Sequence, residues 1–120
     1  MRDRGFGRVI FIVSNSYWRP PGAHMLAYVA SKGALIGMAR TLAVGLGSAG
    51  VAVMAVAPGL TRTPATEVVP AEEFADVAHQ ALPRPLTPDD TAAVVAMLVG
   101  DDAVAMTGQT LTVDGGLALR

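Results

Sequence analysis

Two short runs constrain this chain more than anything else in it: "RVIFIVS" at 8–14 and "VAVMAVAP" at 51–58. Both are continuously apolar and rich in β-branched residues. A strand with one wet face alternates apolar with polar residues, and these runs do not. They read as strands covered on both faces, the pattern of a parallel sheet flanked by helices. Parallel neighbours cannot be joined by a tight turn, so a crossover must lie between them. Residues 26–47 supply it as a long predicted helix, closed near Gly47 and Gly50. Its apolar residues include Leu35, Ile36, Met38, Ala39, Leu42, Ala43, Val44 and Leu46, and they cover more than one face. That breadth predicts burial on several sides, against the sheet and against a partner subunit.

The remaining segments follow the same alternation. "NSYWRPPGAHM" at 15–25 is a loop marked by Pro20, Pro21 and Gly22. Pro58 ends the second strand, and "GLTRTPATEVVP" continues as loop. Residues 71–82 predict a short helix with Glu72 and Glu73 in its first turn, favourable for the helix dipole. "LTPDDTAAVVAMLVG" carries start and stop signals: Thr87 as N-cap, Pro88 at the first position, Asp90 completing a capping-box variant, and Gly100 at the end. "GQTLTVDGG" at 108–116 reads as a third strand. The order strand, helix, strand, helix, helix, strand predicts right-handed crossovers and an α/β parallel sheet of about three strands.

Composition removes several function classes. The net charge is -1 and the arginines are scattered, so nothing favours nucleic acid or an anionic membrane as partner. There is no cysteine, which excludes disulfides and thiolate metal sites. His24 and His79 have no companion ligands at metal spacing, and no metal site is assigned. The apolar run 9–13 is too short for a signal peptide. No segment is expected to reach membrane-spanning length, so the expected location is cytoplasmic.

Lys32 is the only lysine; the other eight basic residues are arginine. It stands four residues after Tyr28 in "YVASK", one helical turn on and on the same face. Taken with a strand ending in Ser14, "APGLTRTP" after the second strand and "TGQTLTVDGG" near the end, this motif resembles the short-chain dehydrogenase/reductase (SDR) family. The nearest group is that of the 3-oxoacyl-(acyl carrier protein) reductases. The resemblance covers essentially the whole chain but only the C-terminal half of the family's domain. It implies the C-terminal half of a Rossmann-like doubly wound parallel sheet. It also implies an oxidoreductase that transfers hydride between NAD or NADP and a ketone or secondary alcohol, a 3-oxoacyl thioester being one candidate.

The resemblance also implies roles. Ser14, at the carboxyl end of its strand, would hold the substrate oxygen; Ser16, two residues on, competes for that role. Tyr28 would move the proton. A free phenol titrates at about pH 10, and a fixed cation beside it favours the phenolate. Lys32 would supply that cation and bond the nicotinamide ribose, a double task suited to a compact ammonium with three donors. Pro58 and Gly59 would turn the chain over the nicotinamide, the Thr61 backbone would meet its carboxamide, and Thr63 would offer a hydroxyl. Residues 64–84 would form a substrate lid, and Tyr17, Trp18, His24 and Met25 either line the pocket or anchor a surface loop. "DGG" at 114–116 is read as structural, serving packing and tetramer assembly.

Several family features are not in this sequence: the glycine-rich TGxxxGxG loop, the residue choosing NAD or NADP, the Asn-Asn-Ala-Gly segment and the catalytic asparagine. The chain is therefore read as one partial domain over 1–120, with Met1 as an internal methionine of a longer gene. Little or no activity is expected of it alone. The alternatives are a non-catalytic oligomerisation module, docking on intact paralogues through helix 26–47, or one half of a split enzyme. As half a doubly wound sheet, the chain would expose the edge of its first strand that normally pairs with the preceding strand.

Overall fold

Three strands form one parallel sheet in the order β1-β2-β3: β1 spans Gly7–Ile12, β2 Val51–Pro58 and β3 Thr110–Val113. The computed structural model describes residues 1–119. β2 lies in the centre, and its residues 51–57 are all buried. Their alternation explains why the run is apolar throughout. Val51, Val53, Ala55 and Ala57 face one core with Val13, Ile36, Ala39 and Ala43. Ala52, Met54 and Val56 face the other, with Leu98 and Ala103.

Helix α1 (Leu26–Leu46) covers the first face and helix α2 (Pro88–Val99) the second. α1 meets the sheet through Ile36, Ala39 and Ala43, spaced three and four apart on one stripe. Two alanines in that stripe let the helix lie close to the strands. β1 and β2 start together at a tight approach: the Gly7 N–H donates to the Gly50 carbonyl at 3.2 Å. Gly50 has a φ of 70°, and a Cβ there would strike the Gly5 carbonyl oxygen, so only glycine fits. The α2 start is as the sequence predicts, with Thr87 N and Thr87 Oγ1 both donating to Asp90 Oδ2 at 2.8 and 3.0 Å.

Four expectations need correction. β1 ends at Ile12, so Ser14 lies beyond the strand, in the turn that follows it. The strand expected over 108–116 is shorter, Thr110–Val113, because Asp114 opens a turn with Gly115 and Gly116 at positive φ. Residues 71–82 do not form an α-helix; Ala71–His79 is 3-10. Phe74, Val77 and Gln80 are spaced by three and turn inward, which matches three residues per turn and not 3.6. Finally, the helical stretch Ala23–Ala49, 27 residues, is long and apolar enough to cross a membrane by length and composition alone. One side of that apolarity is accounted for by the stripe packed on the sheet.

Candidate active site

The candidate residues gather at the carboxyl edge of the sheet, where parallel α/β folds place ligands. β1 delivers Ile12, then the turn holding Ser14; β2 delivers Pro58 and Gly59; β3 delivers Asp114. Tyr28 and Lys32 are the third and seventh residues of α1, so one helical turn separates them.

Lys32 connects the helix to the strand. Its Nζ donates to the carbonyl oxygen of Ile12, the last residue of β1, at 3.0 Å. The same nitrogen lies 5.5 Å from the centroid of the Tyr28 ring. One of three ammonium protons is engaged by the strand end, which leaves two directed elsewhere. Tyr28 itself is 40% exposed, an aromatic presented at the surface of the site.

Ser14 and Ser16 share one turn. Ser14 is buried; its hydroxyl donates to Ser16 Oγ at 2.9 Å and accepts from the Ser16 N–H at 3.2 Å. Tyr17 and Trp18 follow, edge to face with centroids 5.2 Å apart. Trp18 packs on the core, and a Cβ on Gly33 would lie 2.7 Å from the Tyr17 ring. These aromatics anchor the turn against α1.

The 59–66 loop is organised by a residue the sequence reading passed over, Thr66. Its hydroxyl donates to the Thr61 carbonyl at 2.7 Å and accepts from the Thr63 N–H at 2.9 Å. Thr61 Oγ1 bonds back to the Gly59 carbonyl at 3.0 Å. The "TPAT" spacing, a polar residue three after Thr63, is the capping signal that would have found it. A cleft of about 330 Å³ opens at Arg62, Thr63, Pro64, Thr66 and Glu67. A second, of about 380 Å³, lies between 81–86 and 112–116. Neither is lined by Tyr28 or Lys32. The expected lid is tied at two points: Arg19 Nη2 to Asp76 Oδ1 at 3.3 Å, and the Arg62 guanidinium 4.0 Å from the Phe74 ring centroid.

The sequence reading also missed Asn15. Its Nδ2 donates to Asp114 Oδ2 at 3.0 Å, both residues being buried. The aspartate of "DGG" is thus bonded within this chain, at the site's edge.

The family model described as enoyl-(acyl carrier protein) reductase matches residues 1–118. The chain belongs to the short-chain dehydrogenase/reductase family. It is 39% identical over 123 residues to the 3-oxoacyl-[acyl-carrier-protein] reductase MabA of Mycobacterium bovis, covering 99% of this chain and 48% of that protein. Among solved structures, an SDR from Mycobacterium ulcerans superposes with a TM-score of 0.91 at 32% identity, covering 100% of this chain and 44% of that one. A blue fluorescent protein from a metagenomic library, solved with NADPH, gives 0.85 at 38% identity, covering 93% and 45%. The chain spans about half the length of the curated relatives it matches. Dehydrogenase and reductase chemistry with a nicotinamide cofactor is thus the family's activity, carried out by chains about twice this length.

Proposed function

We propose that this chain is the catalytic C-terminal part of an NAD(P)-dependent SDR oxidoreductase acting on a ketone or secondary alcohol. One observation carries the reading: a single ammonium, Lys32 Nζ, joins the end of β1 to the Tyr28 ring. A structural tie to a carbonyl would use any donor; the phenol beside it gives the charge a second use. Ser14 would hold the substrate oxygen, with Ser16 keeping its hydroxyl oriented. Tyr28 would give or take the proton, and Lys32 would favour its anion and steady it.

The donor set fits a nicotinamide riboside. Lys32 retains two ammonium protons for vicinal hydroxyls, and Thr61 and Thr63 belong to a loop held by its own Thr66 bonds. Pro58 and Gly59 would bring that loop over the ring. A bound nicotinamide would supply or accept the hydride at C4. The 3-oxoacyl thioester substrate is the finer part of the proposal, supported by the likeness to MabA. A cytoplasmic setting accords with a cysteine-free chain of this class.

Little or no turnover is expected from the 120-residue chain alone, because the glycine-rich cradle is not in its sequence. The test is spectrophotometric. Purified chain with NADH or NADPH and a 3-oxoacyl thioester should show no saturable oxidation; saturable turnover abolished by Tyr28→Phe would overturn the inactivity and uphold the residue roles.

A second reading rests on a different observation. Of the exposed residues of α1 only Arg40 is charged, while Leu26, Met38 and Val44 stand 74%, 47% and 87% exposed. Such a face suits docking on a second copy or on an intact paralogue, without catalysis. Co-purification with a full-length SDR enzyme supports it; a monomer that captures none opposes it.

A further inference from the structure

Asn15 and Asp114 are 99 residues apart in sequence and almost fully buried, 7% and 3% exposed. Asn15 follows Ser14 in the turn after β1. Asp114 follows Val113, the last residue of β3. Those strands are not neighbours, since β2 runs between them. The 3.0 Å bond from Asn15 Nδ2 to Asp114 Oδ2 therefore reaches across the end of β2, where Gly59 leaves the sheet. Strand spacing puts β1 and β3 about 9.6 Å apart, a span only two side chains meeting midway can close.

Both carboxylate oxygens are engaged. Its Oδ1 accepts from the Gly116 N–H at 3.0 Å, and its Oδ2 also accepts from the Ala118 N–H at 2.9 Å. On the other side, the Asn15 carbonyl accepts from Trp18 N at 2.9 Å and Arg19 N at 3.1 Å. Beneath the pair, the Gly59 N–H donates to the Val113 carbonyl at 2.9 Å. A Cβ on Gly59 would stand 2.9 Å from Asp114 Cβ and 3.1 Å from Asp114 Cα. Gly59 has no positive φ, so glycine is required there for clearance under Asp114. A buried polar pair that did nothing but fill space would be replaced by apolar groups at no loss. This one joins three strand ends at the proposed site.

We infer that Asn15 and Asp114 are positioning residues: their bond sets Ser14 in place relative to the loop at 59–63. The consequence for catalysis rests on the proposed nicotinamide site; the geometry itself does not.

The test uses the 120-residue chain, amide-resolved NMR, urea unfolding, and emission from Trp18, the only tryptophan. Three variants are compared: Asn15→Ala, Asn15→Asp, and the polarity reversal Asn15→Asp with Asp114→Asn. Asn15→Ala should displace the amide resonances of Ser14 and of residues 59–63, and shift Trp18 emission, while Val53 and Leu98 stay put. Asn15→Asp, opposing two carboxyl groups, should do so more strongly. The reversed pair regains a donor facing an acceptor across the sheet but turns that donor toward the Ala118 N–H, so it should bring the Ser14 and 59–63 amides part of the way back. A pair that contributed stability alone would lower the urea midpoint without moving Ser14 or 59–63, and that result overturns the inference. So does a folded reversed pair that leaves Ser14 and 59–63 no nearer their original positions than Asn15→Ala does. Should Asn15→Asp unfold, the other two variants still decide. NADPH titration is a separate arm. Shifts at Lys32, Thr61 and Thr63 should weaken about tenfold in Asn15→Ala and recover in the reversed pair. If the unmodified chain shows no such shifts, nicotinamide binding needs the glycine-rich cradle that this sequence lacks, while the amide comparison still judges the pair.

Discussion

The residues of the site divide into those that hold the fold and those that do not. Tyr28 belongs to the second kind. It is 40% exposed and its hydroxyl has no hydrogen-bond partner among the described residues. Tyr28→Phe should therefore change unfolding free energy by less than about 0.5 kcal/mol, measured by urea titration, even though it removes the proposed proton donor. Gly59 belongs to the first kind. A Cβ there meets Leu86 Cδ1 at 2.8 Å as well as Asp114. Gly59→Ala should cost about 1–3 kcal/mol, the usual penalty for forcing atoms into a filled space. An unchanged urea midpoint would show that the strand ends can spread. The contrast explains what was legible from sequence. "YVASK" could be read because both residues lie within one helical turn, and the Asn15–Asp114 pair could not, because its members are 99 positions apart.

Among the elements, α2 shows most directly how a local signal becomes stability. Asp90 accepts from Thr87 and also binds the Arg84 guanidinium through both oxygens, at 2.6 and 2.9 Å. The Arg84 hydrogen bond, then the Thr87 N–H, hold its carboxyl well below the ordinary value of 3.8. A carboxyl depressed in the folded state favours folding above its unfolded value, and that contribution is lost as pH falls through the folded value. Asp90→Asn should therefore be the less stable protein at neutral pH. The gap between the two should close on acidification, with urea midpoints compared between about pH 6 and pH 2. A constant gap would mean that the amide merely packs worse. The capping box was readable because its parts are three residues apart. Arg84 was not, since nothing in "LPRPLTPDD" fixes which way its side chain turns. The 3-10 run at Ala71–His79 was misread because apolar spacing of three and of three-to-four overlap over so short a stretch.

The whole molecule is larger in outline than its mass predicts. Its radius of gyration is 15.4 Å, against about 13.6 Å for a domain of this length. Its accessible surface is 7215 Å², against about 6,100 Å² for a folded monomer of its mass. The excess, about 1,100 Å², is the size of one partner's share of a substantial interface. It accords with the open side of α1, where Met38 and Val44 project, and with the outer edge of β1, which ends at a half-exposed Ile12. The chain should therefore self-associate as its concentration rises. Sedimentation velocity should show the double change Met38→Glu, Val44→Glu moving the distribution toward monomer without loss of helical signal. Identical distributions would place the association elsewhere, with the β1 edge the next surface to test.

The sequence alone determined the architecture. Two strands apolar on both faces, with a crossover helix between them, leave a parallel sheet covered by helices as the arrangement that buries both faces. It also determined the family, through short motifs whose residues are near neighbours in the chain. Only the tertiary structure decided how those motifs meet. Lys32 is tied to Ile12, Thr66 holds the 59–66 loop, and Asn15 reaches Asp114 over Gly59. The physical reason is range: periodicity and capping act within a turn or two, whereas a hydrogen bond between strand ends exists only once the sheet has brought them together.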